Sequence, residues 1–546
     1  MDHSILPRRE FLKILSGTFA LGVIDWSALP VGAFARGQGD DFDVIVIGSG
    51  LGGLCCAAAF ARQGFRPLVI EQHGKPGGYA TSFARPGGFV FDASLHSTTI
   101  GERNGVYNLI QGFPEITDVE FLPHPNLYRA IYPEHDFRVP QRDVKGYVDL
   151  LVKHFPDERD GITGLIDDMN GMLNDVVRLS QARGRVDMNR FAVDFPIVFK
   201  YYSKPWGAMV DARLKNPKLK GIVSGQWGYY GLPPSKLSSF YYAIPNIGYL
   251  TGGGFYPKGR SQSISDALVK YIAGHGGTVM LSTRVAKILV TDHAAVGVVT
   301  TSGKEFKARV VVSNANAFDT FRNMVDDKDF LAEYQSRWQQ YSVSLSSFQL
   351  FLGLNEDLVG KLGIPDSEIF VEPSYDPEES YRCALKGDVE NGNIGVTLYD
   401  NIFKGYSPEG KNTVNLMTLQ SFDPWERFES DYLAGKKSEY RKEKERMADV
   451  LIERIEKKLL PGLSKAIVVK EIGTPLTNVR YTSNYRGAVY GWDQTVNNSG
   501  STRVAHRTPI KNLYLTGAWS RPGHGYSAVI SSGLECFGEI VQSWQR

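Results

Sequence analysis

The chain has 546 residues, 42% hydrophobic and 22% charged, with 61 basic and 59 acidic side chains and a formal charge of +2. That balance belongs to a globular protein large enough for about three domains, and it excludes a nucleic-acid surface built on excess positive charge. Four cysteines without a CxxC or any metal-ligand spacing exclude a disulfide framework and a metal centre; they read as small buried hydrophobes.

Residues 1–35 read as an export address. Arg8 and Arg9 precede Phe11-Leu12-Lys13, an apolar stretch from Ile14 to Ile24 follows, and Ala33-Phe34-Ala35 has the small-x-small form of a cleavage site. This is a twin-arginine signal, read by a system that exports folded proteins, and it leaves a mature chain starting near Arg36. Asp25 ends the apolar stretch well short of the roughly 20 residues that cross a bilayer. An uncleaved membrane anchor is the alternative. No later stretch is long and apolar enough to span, so membrane contact is expected to be peripheral.

Next comes a strand–turn–helix–strand signature. Val44 to Ile47 is a β-branched run suited to a fully buried parallel strand, and Gly48-x-Gly50-x-x-Gly53 follows it directly. An alanine-rich helix then runs to about Gln63 and stops at Gly64. A second strand, Pro67 to Ile70, ends in Glu71, 18 residues after Gly53. A lone GxGxxG is weak, but in this context the glycines permit a tight turn and close approach of a pyrophosphate. The helix N-terminus offers it unpaired N–H groups, and Glu71 can accept from ribose hydroxyls. A dinucleotide binds here.

Farther along, Gly77-Gly78 form a second glycine pair, with Arg85 beyond it. "SQSISDALVKYIAGHGG" predicts a helix ending at glycines. Residues 278–315 read as consecutive short strands with turns at Asp292-His293 and Ser302-Gly303. "KNLYLTGAWSRPGHGYSAVISSG" reads as strand, glycine turn and helix. A binding core assembled from three separated segments points to one large ligand lying across it.

These pieces resemble the superfamily of phytoene desaturases, carotenoid isomerases and retinol saturases. The resemblance is carried by the dinucleotide motif with "PGGYATSF", "GGGFYPKGRSQSISDAL", "VVVSNANAFDTF", "YRGAVYGWDQ" and "NLYLTGAWSRPGHGYSAVISSG". It implies FAD as cofactor, with the pyrophosphate at Gly48, Gly50 and Gly53, the ribose at Glu71 and adenine beside Val285. Arg85 is a further cofactor-binding candidate. The flavin end is implied near Gly77, Gly78 and the turn from Gly517 through Gly523 to Gly525. His96, His524 and Tyr526 fall where the family places its isoalloxazine surroundings, so they are the catalytic candidates, each able to donate a proton or simply to pack. Two positions depart from the pattern: Arg260 and Ser94 stand where relatives carry glycine.

The implied fold is α/β, a Rossmann-like FAD-binding domain assembled from discontinuous segments plus an α+β substrate domain with mixed sheet and helices. The FAD-binding parts are expected at 40–125, 248–320 and 471–546, and the substrate-domain parts at 126–247 and 321–470. Ten aromatic residues from Tyr201 to Tyr249 read either as the wall of a tunnel for a long apolar substrate or as a core packed on the flavin domain. Residues 436–460 predict an amphipathic helix with a solvated lysine-rich face.

Functionally, the expectation is an exported, membrane-peripheral flavoenzyme that desaturates, saturates or isomerises carbon–carbon double bonds of a polyene or isoprenoid-like lipid. Its electron partner would be a quinone or a redox protein, because an exported enzyme has no NAD(P)H pool. A flavin amine oxidase and a non-catalytic lipid-binding protein of the same fold are the alternatives.

Overall fold

The computed structural model describes residues 41–101, 119–182, 186–326 and 328–544. The export signal expected at 1–35 lies outside the described residues. Among them, no helix is long and apolar enough to cross a membrane.

β1 (Phe42–Ile47), α1 (Leu51–Arg62) and β2 (Pro67–Ile70) form the predicted unit. Val44, Ile45 and Val46 are wholly buried because β1 has parallel neighbours on both sides, β2 and the strand Glu305–Ser313. Thr278–Met280 extends the parallel sheet beyond β2, and Leu513–Leu515 adds to the far side of Glu305–Ser313. The first residues of Glu305–Ser313 pair antiparallel with Ala294–Thr300, which pairs with Val285–Thr291. Asp292 and His293 both take left-handed φ values, 49° and 57°, as a two-residue hairpin turn requires.

Every residue of α1 from Leu51 to Ala61 is buried. Its small side chains let neighbours reach the backbone: a Cβ on Gly53 would lie 2.3 Å from the Gly48 carbonyl oxygen. On the C-terminal helix Tyr526–Trp544, a Cβ on Gly533 would lie 2.3 Å from the Gly52 carbonyl oxygen. Cys55, Cys56, Cys383 and Cys536 are free and buried, as their setting in the sequence suggests.

The second sheet runs Ile467–Gly473, Ser346–Leu354, Asn412–Gln420, Ile394–Thr397, Glu368–Val371, Tyr128–Ile131, Asp136–Val139. It is mixed, since Glu368–Val371 and Tyr128–Ile131 are parallel while the other pairs are antiparallel. The helix Ser438–Lys458 covers it with Met447, Leu451 and Ile455, while cations on the helix and beside it pair with acids, as in Arg446–Glu443 at 3.1 Å and Lys470–Glu445 at 2.7 Å. That charged face is solvated.

The aromatic stretch is mostly core. Trp206 is fully buried and stacks on Tyr242 with centroids 4.3 Å apart, a contact worth about 1 kcal/mol beyond burial. The Tyr201 hydroxyl donates to Asp168 Oδ2 at 2.7 Å, and the Tyr242 hydroxyl to the Val223 carbonyl at 2.8 Å. These rings join helices between residues 144 and 252 into one cluster, and of the ten only Tyr229 lines the large cavity described below.

Asp92 closes the hairpin Ser82–Arg85/Phe89–Asp92 onto the helix Arg260–Gly274. Its carboxylate is fully buried and accepts from Ser82 Oγ (2.6 Å), Ser261 Oγ (2.6 Å), the Ser261 amide (3.1 Å) and the Tyr256 hydroxyl. Burial pushes its pKa up against these four donors. Arg260, beside it, takes φ 70°, which explains why glycine suits this position; the guanidinium offsets the strain by lying over the Tyr406 ring. Replacing Asp92→Ala strands buried donors, and should lower stability by about 3 kcal/mol. A urea midpoint equal to wild type would show that the hub carries no such weight.

Candidate functional site

The three distant segments of the nucleotide unit all contribute to the wall of one cavity of about 890 Å³. Gly48, with φ 90°, makes the turn out of β1, and Gly50 caps α1 with no side-chain hydrogen bond to the first-turn amides. Those amides therefore remain available to an anion. Gly48, Gly50, Leu51 and Gly52 line the cavity, whereas Gly53 stands behind it and sets the helix–strand distance.

Glu71 lines the next stretch. Its Oε2 accepts from the Ser49 amide and hydroxyl, both at 2.7 Å, and Oε1 accepts from the His73 amide at 2.8 Å. These bonds fix the carboxylate and leave lone-pair capacity on the cavity side for hydroxyl donors. Val285 lines the wall beyond, with Thr283, Arg284 and Met324. At the other end Gly77 (φ 118°) and Gly78 (φ 60°) approach Gly50 so closely that a Cβ on Gly78 would lie 3.3 Å from its Cα. Arg85 also lines the cavity, but its guanidinium is committed to Glu471 at 2.6 Å.

Gly517 belongs to the wall, and Gly523 does not. The space beside Gly523 is filled by Gln494 Nε2 and the Tyr241 hydroxyl, while Gly525, with nothing within 4 Å of its missing side chain, faces the cavity. Of the glycines in the turn that the sequence reading placed at the flavin end, Gly517 and Gly525 line the cavity and Gly523 does not.

Asn314 and Arg503 escaped the sequence reading. Asn314 sits where β1 and its neighbour end; its side-chain oxygen lies 2.4 Å from a Cβ built on Gly517 and 2.9 Å from one on Gly52, so its amide wedges all three segments together. Its place at the strand terminus was the available signal. Arg503 is fully buried and donates to the carbonyls of Trp492 (3.1 Å), Ala518 (2.6 Å) and Ser520 (2.9 Å), holding the Gly517 turn in shape. Burial pushes it down to about 10.

All three catalytic candidates line the cavity. Tyr526 opens the C-terminal helix, its hydroxyl 3.3 Å from the Tyr79 carbonyl oxygen, and burial raises its pKa far out of the physiological range. His524 Nε2 is 3.2 Å from the Tyr229 carbonyl oxygen, an acceptor only, so that nitrogen carries the proton. Burial and the nearby Arg503 charge push His524 down to about 3, so the ring is neutral and its one N–H is in use. His96 lies on Tyr229, centroids 5.1 Å apart and nearly parallel, with Nδ1 2.7 Å from Glu368 Oε2.

Residues 51–536 match the family of flavin containing amine oxidoreductases. The chain belongs to that family. Its cofactor is FAD, and the uncapped helix start, the glycine cradle and Glu71 fit the pyrophosphate and ribose of that molecule. Among curated proteins, the chain is 28% identical over 513 residues to a chloroplastic prolycopene isomerase 1 of an Oncidium hybrid cultivar, covering 91% of this chain and 84% of that one. It is 26% identical over 553 residues to the all-trans-retinol 13,14-reductase of Danio rerio, covering 94% and 88%. Among solved structures, an oxidoreductase of Methanosarcina mazei matches with TM-score 0.61 at 17% identity, covering 91% and 100%. A putrescine oxidase variant matches with TM-score 0.62 at 13% identity, covering 92% and 99%. At those identities the structures share the fold.

Glu71→Ala removes the carboxylate that fits the ribose and should weaken FAD binding about tenfold to a hundredfold. Flavin fluorescence released on dilution measures this, and unchanged retention would remove Glu71 from the site.

Proposed function

We propose that this flavoenzyme acts on carbon–carbon double bonds of a polyene or isoprenoid-like lipid. The observation that carries this is that one cavity is lined both by the glycine cradle and by Tyr490, Phe351, Met417, Tyr229 and His96. Bound FAD supplies a two-electron acceptor and donor in this cavity. Around it Phe351, Met417, Tyr229 and Tyr490 provide apolar surface on which an extended hydrocarbon can be positioned, which is what such chemistry needs most. The relatives named as prolycopene isomerase and retinol reductase support the same substrate class.

Amine oxidation is the second reading, favoured by the family and by the putrescine oxidase fold. An ammonium substrate calls for an uncommitted anion near the flavin end. The carboxylates lining the cavity are engaged elsewhere: Glu71 at the ribose position, Asp319 beside Arg284 at 3.6 Å, and Glu471 on Arg85. The lipid reading is therefore preferred.

Export by the twin-arginine route, a quinone or redox-protein electron partner and peripheral membrane contact complete the proposal. Support for membrane contact comes from Val193 (72% exposed) and Phe199 (51% exposed), beside Lys200 and Lys204.

The test uses the FAD-loaded protein, incubated anaerobically with prolycopene or with all-trans-retinol. A product of altered mobility and unchanged mass signals isomerisation, and a two-hydrogen mass change signals redox chemistry. The proposal expects one of these, and no peroxide from putrescine in air. Peroxide formation with both polyenes untouched would overturn it.

A further inference from the structure

Two imidazoles face one cavity, and their surroundings treat them oppositely. His524 is neutral, its Nε2–H given to the Tyr229 carbonyl and its ring stacked on Tyr490 with centroids 4.2 Å apart. His96 instead meets a carboxylate. Glu368 Oε2 is 2.7 Å from His96 Nδ1, and the Glu368 side chain is only 3% exposed. No lysine or arginine pairs with Glu368 among the described residues, and its other oxygen, Oε1, is buried without a hydrogen-bond partner. A buried carboxylate so isolated requires a counter-charge, and His96 is the one within reach.

The other groups around the pair do not compete for the role. His124 is held neutral, pushed down to about 4 by burial, with Nδ1 2.7 Å from Ser367 Oγ. The Tyr229 hydroxyl is 3.4 Å from His96 Nδ1, the Tyr249 hydroxyl is given to Ser97 Oγ, and burial keeps both phenols protonated. Burial alone favours a neutral His96 as well. The charge and hydrogen bond of Glu368 outweigh it and raise the His96 pKa above the ordinary imidazole value. With Nδ1 taken, Nε2 is the ring nitrogen left to the cavity, which His96 lines with 22% of its side chain accessible.

We propose that Glu368 is a positioning residue that keeps His96 as an imidazolium, and that His96 Nε2 delivers a proton to a carbon of the bound polyene. This rests on the polyene reading above. The N–H bond breaks and the π electron pair of one double bond forms the new C–H bond, leaving a cation delocalised along the chain. The former double bond then rotates, a proton returns to Nε2 and the π bond re-forms. Nothing is oxidised or reduced, so the isomerisation balances by itself. In a saturation the same proton would be one of the two hydrogens added; the electron pair and the other hydrogen are what FAD, bound in its reduced form, would supply as the reductant.

The first experiment needs no turnover. In FAD-loaded protein carrying carbon-13-labelled histidine, the His96 resonance, assigned by its loss in His96→Gln, is followed against pH. A midpoint above the ordinary value of about 6.5, falling by at least about one unit in Glu368→Gln, is expected. A wild-type midpoint at or below about 6.5 overturns the proposal even if Glu368→Gln fails to fold, and Glu368→Asp gives a second, charge-conserving comparison. Turnover of prolycopene or all-trans-retinol in heavy water supplies the second readout. Deuterium should enter the product at carbon in wild type and be lost at least tenfold in His96→Gln. Product without solvent deuterium, or equal deuterium in His96→Gln, overturns the donor role. If neither polyene reacts, the polyene reading fails, and the donor proposal that rests on it falls with it; the titration then decides only whether Glu368 holds His96 charged.

Discussion

The architecture depends on how closely other parts of the chain approach the backbone of α1. Two glycines on that helix and one on the C-terminal helix stand where a Cβ would meet carbonyl oxygen at 2.3 Å or backbone and amide atoms near 2.9 Å. Four alanines and two cysteines, with Leu51, Leu54 and Phe60, make up the rest of its buried surface, so the helix is covered on all sides. Dispersion and apolar burial at such short range hold β1, the C-terminal helix and Arg260–Gly274 around one helix start. Segments nearly 500 residues apart thereby come to share one wall.

The site's chemistry follows from that convergence. The turn at Gly48 and the uncapped start of α1 make an anion cradle, Asn314 wedges the second segment against it, and Arg503 stiffens the third by gathering the carbonyls of the Gly517 turn. Beyond the cradle the cavity leaves the nucleotide sheet and reaches the mixed sheet, where Glu368 lies under His96. The two sheets divide the work: one holds a cofactor by backbone geometry, the other supplies a charge at the far end of the passage.

What was legible in the sequence is what local spacing encodes. The strand, glycine turn, helix and terminal acid fall within 30 residues, and each carries its own physical signature, so Gly48, Gly50 and Glu71 were singled out from sequence, and all three line the cavity. His96, His524 and Tyr526 came from the resemblance, and all three reach the cavity. The aromatic stretch misled in part, because a dense run of rings says nothing about which face they occupy; helical packing turned nine of the ten away from the cavity. Glu368 carried no signal at all. It is one acid in a short strand, and its partner lies 272 residues away.

The central claim is that three distant segments form one FAD groove. Amide hydrogen exchange of the apoprotein before and after adding FAD tests it most directly. The account predicts simultaneous protection around residues 44–56, around 283–286 and 314–316, and around 517–529. Protection confined to β1, α1 and β2, with the other two segments unaffected, would contradict it.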